Sequence, residues 1–274
     1  AQYHPGDEVV FDGDTTLYAV WSYDDLLIDW VSSLYTYFMG RTPDSGGLEY
    51  WTGELRSGNK TASYTVAFFY NSNEFKQRVS DTGMTREEFV TALYHIIYSR
   101  DPDEGGLSYW VGQLESGHSW DYVIQGFTSV SEFDDLCESL GILKGTYKSE
   151  DILDRYMNVT SFVARMYTKC LGRDFDEEGL RYWVEQLVSG NRTGLKTAIN
   201  FFLSDEISSS GITEEEFVRR AYATLMDREP DEGGLAYWSE QLESGAKTRR
   251  DVINGFAYSD EFVQICSEYG IIPY

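Results

Sequence analysis

Cysteine, proline and histidine are scarce in this sequence, and their scarcity removes several classes of protein. The 274 residues include three cysteines, five prolines and three histidines. Three cysteines cannot all pair, so we expect no disulfide framework. Cys137 and Cys266 occupy equivalent places in two repeats, and we expect them to be buried as small apolar residues.

Long apolar runs are also missing. No run approaches the length of a membrane span, so we expect no membrane insertion. No signal peptide opens the chain, so a secreted protein with this sequence is expected to be a mature or excised piece.

Basic residues are outnumbered by acidic ones. The chain has 22 Lys and Arg against 46 Asp and Glu, which gives a net charge of −24. Nucleic-acid affinity comes mainly from basic side chains that neutralise phosphates, and anionic lipid headgroups also attract basic segments. We therefore exclude nucleic acid and the bare membrane surface as partners. The acidic surface attracts cations such as Ca²⁺.

Four copies of one motif, Arg-x-x-Asp-x-x-Gly-Leu-x-Tyr-Trp, organise the chain. The spacing between motif tryptophans differs from one unit to the next, but the spacing from unit one to unit three is similar to that from unit two to unit four. Units one and two therefore form a pair that units three and four repeat. We assign residues 23–143 to pair one, 144–158 to a linker and 159–274 to pair two. The shared positions are Arg41, Asp44 and Trp51; Arg100, Asp103 and Trp110; Arg173, Asp176 and Trp183; and Arg228, Asp231 and Trp238.

Apolar residues recur at spacings of three and four, which predicts helices. Thr85 with Glu88 and Thr213 with Glu216 have the spacing of capping boxes, and the motif Asp is a helix N-cap. The pattern predicts an all-α fold with four helices in each unit. Neighbouring units must pack together, since one unit buries its apolar face poorly alone.

Two segments depart from the repeated pattern, and each leads to a further prediction. Unit three is shortened before Gly211, where about one helical turn is missing, and its turn is expected to differ because Phe175 and Glu178 replace Pro and Gly. Residues 1–22 alternate apolar and polar side chains around Asp12-Gly13, which predicts a short β-hairpin.

The repeated motif, with the Leu-x-Ser-Gly that follows it, resembles the domain-of-unknown-function family numbered 4214 over roughly residues 26–272. That family is also similar to the helical linker domain of phycobilisomes. The resemblance implies a helical fold and a place in large secreted or surface proteins of bacteria. It implies no agreed activity, and no catalytic residues carry over.

The first residues resemble a second family. Tyr3–Asp7 and the string Asp14–Trp21 are similar to the closing strands of the Listeria–Bacteroides repeat, also called the internalin B-repeat. Such repeats form stalks in surface proteins of Gram-positive bacteria. This resemblance implies that residues 1–22 are the end of a β repeat and that the protein is extracellular, at the cell surface.

The sequence contains no motif typical of a catalytic site or of a metal site. His4, His95 and His118 are scattered, and no zinc-protease helix, phosphate loop or nucleophile elbow is present. A catalytic site is one asymmetric constellation, whereas the acidic residues recur in every unit, so we predict that the chain is not an enzyme. Asp101-x-Asp103 begins like a calcium loop but lacks the later ligands, so no cofactor is predicted and calcium is left as an alternative.

Residues shared by all units are interpreted as structural. The four motif arginines are expected to form internal ion pairs or to bind carbonyl groups, with contact to a ligand carboxylate or glycan as the alternative. The four motif tryptophans are expected in the core, with an aromatic sugar platform as the alternative.

Residues that differ between units are better binding candidates. Trp120 replaces the threonine found at the start of the third helix in other units. Together with His118 and Tyr122 it is the predicted contact patch, because Trp and Tyr are enriched in binding hot spots. The alternative is that Trp120 packs between units.

These features together predict a non-catalytic adhesin-type module of a bacterial surface protein, monomeric within a larger chain. Its expected partner is a host protein, such as an immunoglobulin or a matrix or mucosal protein. A glycan-binding accessory module and a structural spacer without ligand are the alternatives.

Overall fold

Helices account for all the regular secondary structure of residues 23–274, which is the part of the chain that the structure, a computed structural model, describes. No strand occurs in these residues, so the predicted all-α fold is confirmed. The β-hairpin and the surface-repeat end predicted for residues 1–22 lie outside the described residues.

Pair one consists of two units of four helices. Unit one contains α1 (Tyr23–Leu34), α2 (Ser45–Arg56), α3 (Ala62–Asn71) and α4 (Asn73–Thr82). Unit two contains α5 (Arg86–Tyr98), α6 (Glu104–Glu115), α7 (Trp120–Ser129) and α8 (Ser131–Leu140).

Pair two repeats this order after the short helix α9 (Ile152–Arg155). Unit three contains α10 (Met157–Arg165), α11 (Glu177–Val188), α12 (Gly194–Phe202) and α13 (Asp205–Ser209). Unit four contains α14 (Glu214–Ala221), α15 (Glu232–Glu243), α16 (Arg249–Ala257) and α17 (Asp260–Tyr269). The short α13 reflects the residues that unit three lacks.

The first helix of units one, three and four ends in a π-helical turn. These turns are Tyr35–Met39, Met166–Leu171 and Tyr222–Met226. In every unit, the residue that follows the first helix or its π-helical turn has a left-handed backbone conformation. These residues are Gly40, Ser99, Gly172 and Asp227. The chain reverses direction at this residue, so the motif Arg packs against the end of the preceding helix.

The second helix of each unit begins at an aspartate whose side chain accepts a hydrogen bond from a backbone amide of the first turn. The carboxylate of Asp44 accepts a 2.8 Å hydrogen bond from the amide of Gly47, and the motif aspartates of the other units do the same. Unit three keeps this turn, with 2.7 Å between Gly179 N and Asp176 Oδ1. The expectation that its turn differs is wrong, because the cap needs only the Asp and a backbone amide.

Buried apolar residues form two clusters, one from residues 27–142 and one from residues 153–271. Within pair one, the indole nitrogen of Trp30 donates a buried 3.1 Å hydrogen bond to the carbonyl of Ile96. Within pair two, Arg165 donates to the carbonyl of Thr224. The two units of a pair therefore share one core.

The chain that leaves each pair returns across the pair's first unit. The amides of Ala62 and Ser63, at the start of α3, donate to the carbonyls of Leu143 and Lys144 at 2.8 and 2.9 Å. At the start of α12, the amides of Gly194 and Leu195 donate to Ile272 and Pro273, both at 2.8 Å. These exit segments satisfy amides that have no partner within the helix.

Residues 144–158, predicted as a linker, are hydrogen-bonded to both pairs. The hydroxyl of Tyr147 donates to Asp121, and the amide of Ser149 donates to Gln125 Oε1 at 2.8 Å. On the other side, Asp151 accepts two hydrogen bonds from Arg181, at 2.7 and 2.8 Å.

Candidate functional site

The motif arginines are engaged within their own units. Each guanidinium lies over a tyrosine ring of the preceding helix: Arg41 over Tyr35, Arg100 over Tyr94, Arg173 over Tyr167 and Arg228 over Tyr222, at 5.0 to 5.2 Å. Each also donates to the carbonyl of the next residue. Three of them pair with a glutamate of the last helix, at Glu74, Glu206 and Glu261. The hydrogen bond from Arg41 lowers the pKa of Glu74, so these groups serve the fold.

The motif tryptophans pack against the third helix. Their rings lie 5.1 to 5.9 Å from Phe69, Phe127, Phe201 and Phe256. Trp51 is buried and the other three are half-buried. The tyrosine before each tryptophan is exposed, at Tyr50, Tyr109, Tyr182 and Tyr237. A ligand can therefore reach the tyrosine of each Tyr-Trp pair more readily than the tryptophan.

The predicted contact patch consists of three half-buried residues, Trp120, His118 and Tyr122. Trp120 packs against other rings of pair one, whereas His118 and Tyr122 contact each other. The ring of Trp120 stacks on Phe89 of α5 at 4.2 Å and lies 6.1 Å from Phe75 of unit one. Trp120 thus lies between units one and two, as the alternative interpretation has it. His118 and Tyr122 stack on each other at 3.8 Å.

Trp120 lies one residue beyond the capping position that the sequence comparison of the units assigns to it. Ser119 holds the N-cap position of α7, and its hydroxyl accepts a 3.1 Å hydrogen bond from the amide of Tyr122. Trp120 is the first helical residue, equivalent to Ala62, Gly194 and Arg249. The loop before α7 is one residue shorter than its counterparts, so Trp120 does not replace a capping threonine.

Asp154 of α9, the short helix between the two pairs, binds the start of α7 in pair one. Its carboxylate accepts hydrogen bonds from the amide and hydroxyl of Ser119 and from the hydroxyl of Ser149, at 3.0, 2.6 and 2.5 Å. The Nδ1 atom of His118 lies 3.2 Å from Asp154 Oδ1. Burial raises the pKa of Asp154, but hydrogen bonds from His118, Ser119 and Ser149 outweigh it and leave the pKa below its usual value. His118 is therefore part of a junction between the pairs.

A cleft of about 450 Å³ opens beside this junction, between units two and three. Trp120 and His118 lie on one wall, and Phe175 and Leu180 lie on the other. Arg86 crosses the cleft, since its guanidinium lies 2.9 Å from Asp174 and 5.1 Å from the ring of Phe175. Among residues 23–274, no group of three or more His, Cys, Asp or Glu is placed to hold a metal ion.

A second surface, on unit one, was not predicted from the sequence. Tyr50 of α2 and Tyr64 and Phe68 of α3 are 53%, 43% and 48% exposed. We call these three residues the aromatic stripe. Phe68 rests on buried Trp51 at 4.8 Å, and Tyr50 meets the same indole edge-on at 5.2 Å. Trp51 therefore supports two of the exposed rings from below.

No other unit carries such a stripe at the equivalent positions. Counted from the N-cap of the third helix, Tyr64 and Phe68 correspond to Tyr122 and Gly126, to Lys196 and Asn200, and to Asp251 and Gly255. A side chain added at Gly126 or Gly255 would meet the ring of Trp110 or Trp238. In unit one, Phe68 instead covers the tryptophan and extends the aromatic surface into solvent. Aligning the units on their capping residues would have revealed this difference.

Helix α3 is also uncharged. None of its ten residues, Ala62–Asn71, is acidic or basic. The ammonium of Lys60, just before the helix, lies 4.5 Å from the centre of the Tyr64 ring. An uncharged exposed face stands out in a chain with 25% charged residues.

Comparisons with known proteins identify one family. The profile described as Domain of unknown function (DUF4214) matches four segments, residues 24–79, 66–137, 145–210 and 198–266. Neither the search of curated proteins nor the search of solved structures gave a match. Within residues 23–274, no helix has the length and apolar character needed to cross a membrane.

Proposed function

Since the chain belongs to the DUF4214 family through four tandem units, we propose that it is a non-catalytic, adhesin-type module displayed on the bacterial cell surface that binds a host protein. The surface location rests on the sequence resemblances, both of which point to secreted or surface proteins of bacteria. A module of this kind binds through the outer faces of its helices. Fold-level analogy alone does not identify the ligand, which has to be inferred from one particular surface of the protein.

The aromatic stripe is the observation that carries the proposal. Centres of protein interfaces are depleted of charged residues and enriched in aromatic ones. Tyr and Trp are also over-represented among the residues that contribute most to binding. Tyr50, Tyr64 and Phe68 have this composition and remain exposed. Tyr50 recurs in every unit, whereas no other unit has an aromatic residue at the position of Phe68. The repeat fold therefore does not require an aromatic residue at Phe68, which favours a role for that residue in recognition.

The roles of the repeated acidic residues support a non-catalytic module. The four motif aspartates cap helices, and Glu74, Glu206 and Glu261 pair with motif arginines. These carboxylates are committed to local structure in the same way from unit to unit. A catalytic pair of carboxylates would instead stand together in one pocket with separated pKa values.

Binding to immobilised protein tests the proposal. The full chain is probed with serum and mucosal proteins, immunoglobulins included, and with a glycan array. The Phe68→Asn variant places in unit one the residue that unit three has at Asn200. The matched control is Tyr182→Ala, which removes an exposed tyrosine from unit three. Circular dichroism of each variant verifies the helical fold.

We expect saturable binding to a host protein that is weakened by Phe68→Asn and retained by Tyr182→Ala. No binding to either panel by the folded protein would contradict the proposal and leave a structural spacer as the better account. Host-protein binding that is insensitive to Phe68→Asn would remove the observation on which the proposal depends.

A glycan-binding accessory module is the second candidate. It is favoured by the exposed tyrosine that recurs beside each motif tryptophan, at Tyr50, Tyr109, Tyr182 and Tyr237. Aromatic rings of this kind present flat apolar faces together with a polar hydroxyl. Binding on the glycan array that falls with each Tyr→Ala substitution in turn would favour this candidate over a protein partner.

A further inference from the structure

We infer that the occupant of the aromatic stripe is a protein whose contact surface is apolar and uncharged at its centre and whose wider surface is positively charged. This inference rests on the proposed function, and it names the partner's chemistry. Two independent properties of the chain lead to it: the local composition of the stripe and the long-range charge of the whole molecule.

The centre of the contact is defined by α3. Its exposed residues Tyr64, Phe68 and Asn71 follow one another at spacings of four and three, so they lie along one side of the helix. Tyr50 of α2 lies beside them through its contact with Trp51. The ammonium of Lys60 lies over the Tyr64 ring, but the side chains of Tyr50 and Phe68 offer no counter-charge to a group buried against them. A charged partner group placed there would lose its hydration without gaining a counter-charge, so the partner's centre is apolar.

The surroundings of the contact are defined by the net charge of −24. A field of this sign attracts cationic proteins and repels anionic ones over distances comparable with the Debye length. A second copy of the chain carries the same charge and is repelled, as are acidic glycans and acidic proteins. Complementarity therefore selects a partner with positive potential around its apolar centre.

These two properties act on different steps of binding. Long-range attraction between opposite charges raises the association rate and is screened by salt. Apolar contacts at the centre form only in the docked complex and mainly determine the dissociation rate. For the proposed partner, added salt therefore slows association, whereas loss of Phe68 speeds dissociation.

Three synthetic peptides serve as defined probes of the full-length chain. The first is an amphipathic helix with leucines on one face and lysines on the other. In the second, glutamates replace the lysines, and in the third, serines replace the leucines. Surface plasmon resonance at low and high salt gives the association and dissociation rates of each peptide with the wild type, Phe68→Asn and the Tyr182→Ala control.

The leucine–lysine peptide is expected to bind, with an association rate that falls at least about tenfold as salt is raised. Its dissociation is expected to be at least about tenfold faster from Phe68→Asn and unchanged from Tyr182→Ala. The leucine–glutamate peptide should associate at least about tenfold more slowly. The serine–lysine peptide should not distinguish Phe68→Asn from the wild type.

Several outcomes overturn the inference. One is equal association of the glutamate and lysine peptides, and another is a Phe68→Asn effect confined to association. A third is Phe68-dependent binding to a neutral lactosamine oligomer or to an acidic protein, with no such binding to the leucine–lysine peptide. In that third case, if the panel also contains a host protein that binds, the proposed function is supported and only this inference is contradicted. Failure of the proposed function itself is recognised separately, by the absence of any panel ligand.

Discussion

The carboxylate of Asp154 accepts a 2.6 Å hydrogen bond from the hydroxyl of Ser119, the residue that caps α7. The backbone amide of Ser119 donates to the same carboxylate at 3.0 Å. One side chain from the segment between the pairs therefore satisfies donors at the N-terminus of a helix in pair one. This contact makes the junction between the pairs sensitive to a single substitution.

Replacement of Asp154 by alanine is expected to lower the free energy of unfolding by about 1–3 kcal/mol. The reason is that Asp154→Ala leaves the buried donors of Ser119 and Ser149 without their charged acceptor. Urea unfolding followed by circular dichroism measures the change. The control is Glu150→Ala, which removes an exposed carboxylate four residues away and should change the free energy by less than about 0.5 kcal/mol. Equal losses in the two variants would contradict the role assigned to Asp154.

The same contact predicts a dependence on pH. The folded pKa of Asp154 lies below the value of about 3.9 that is usual for an unfolded Asp. A depressed folded pKa contributes stability that is complete above the unfolded pKa and is lost as the pH falls through the folded pKa. The stability difference between the wild type and Asp154→Ala should therefore be constant near neutral pH and shrink below about pH 4. A difference that grows on acidification would contradict this assignment.

The two glycines of the first motif should respond oppositely to alanine. A Cβ atom at Gly47 would meet the hydroxyl of Tyr35, whereas one at Gly46 has Asp44 Oδ1 at 3.4 Å as its nearest neighbour. Gly47→Ala is expected to cost about 1–3 kcal/mol through overpacking. Gly46→Ala is expected to be neutral or to stabilise α2 by up to about 1 kcal/mol, because alanine favours the helix. Thermal unfolding of the two variants measures this, and a larger loss from Gly46→Ala would show that Tyr35 does not set the requirement.

Trp120→Ala is expected to act mainly on stability. The indole stacks on Phe89 and packs against the core of pair one. Its removal should cost about 2–4 kcal/mol, as for other large aromatic truncations. Urea unfolding measures the loss, and Tyr109→Ala, at an exposed ring of the same unit, is the matched control. A Trp120→Ala protein of unchanged stability that no longer binds its ligand would restore Trp120 as a contact residue.

Much of the fold could be read from the sequence because it repeats. The motif Asp and Gly recur at fixed offsets, and their physical role is local: a carboxylate caps the amide three residues later. The predicted helices and the four repeated units are both confirmed. The π-helical turns were not predicted, since the apolar spacing at Tyr35–Met39 is compatible with an ordinary helix.

The candidate site was harder to predict because it depends on contacts distant in sequence. Phe68 and Phe69 are adjacent aromatic residues, yet Phe69 is buried and Phe68 is exposed. Both rings contact Trp51, but Phe69 also packs against Tyr35, which is distant in sequence. The role of His118 likewise depends on Asp154, which the sequence placed in a linker. A one-residue difference in loop length was enough to misplace Trp120.

The exit segments have a mechanical consequence. Leu143 and Lys144 are joined to the start of α3 by two backbone hydrogen bonds, and Ile272 and Pro273 are joined in the same way to α12. In pair one, tension on the chain after residue 149 first meets the hydrogen bonds of Ser149 and Tyr147 to α7 and then those to α3. In pair two, tension applied after Pro273 meets the hydrogen bonds to α12 before it reaches α17. In both pairs, part of the load is thereby passed to the first unit. Backbone hydrogen bonds thus share an applied load between segments of the chain that lie about 80 residues apart in sequence.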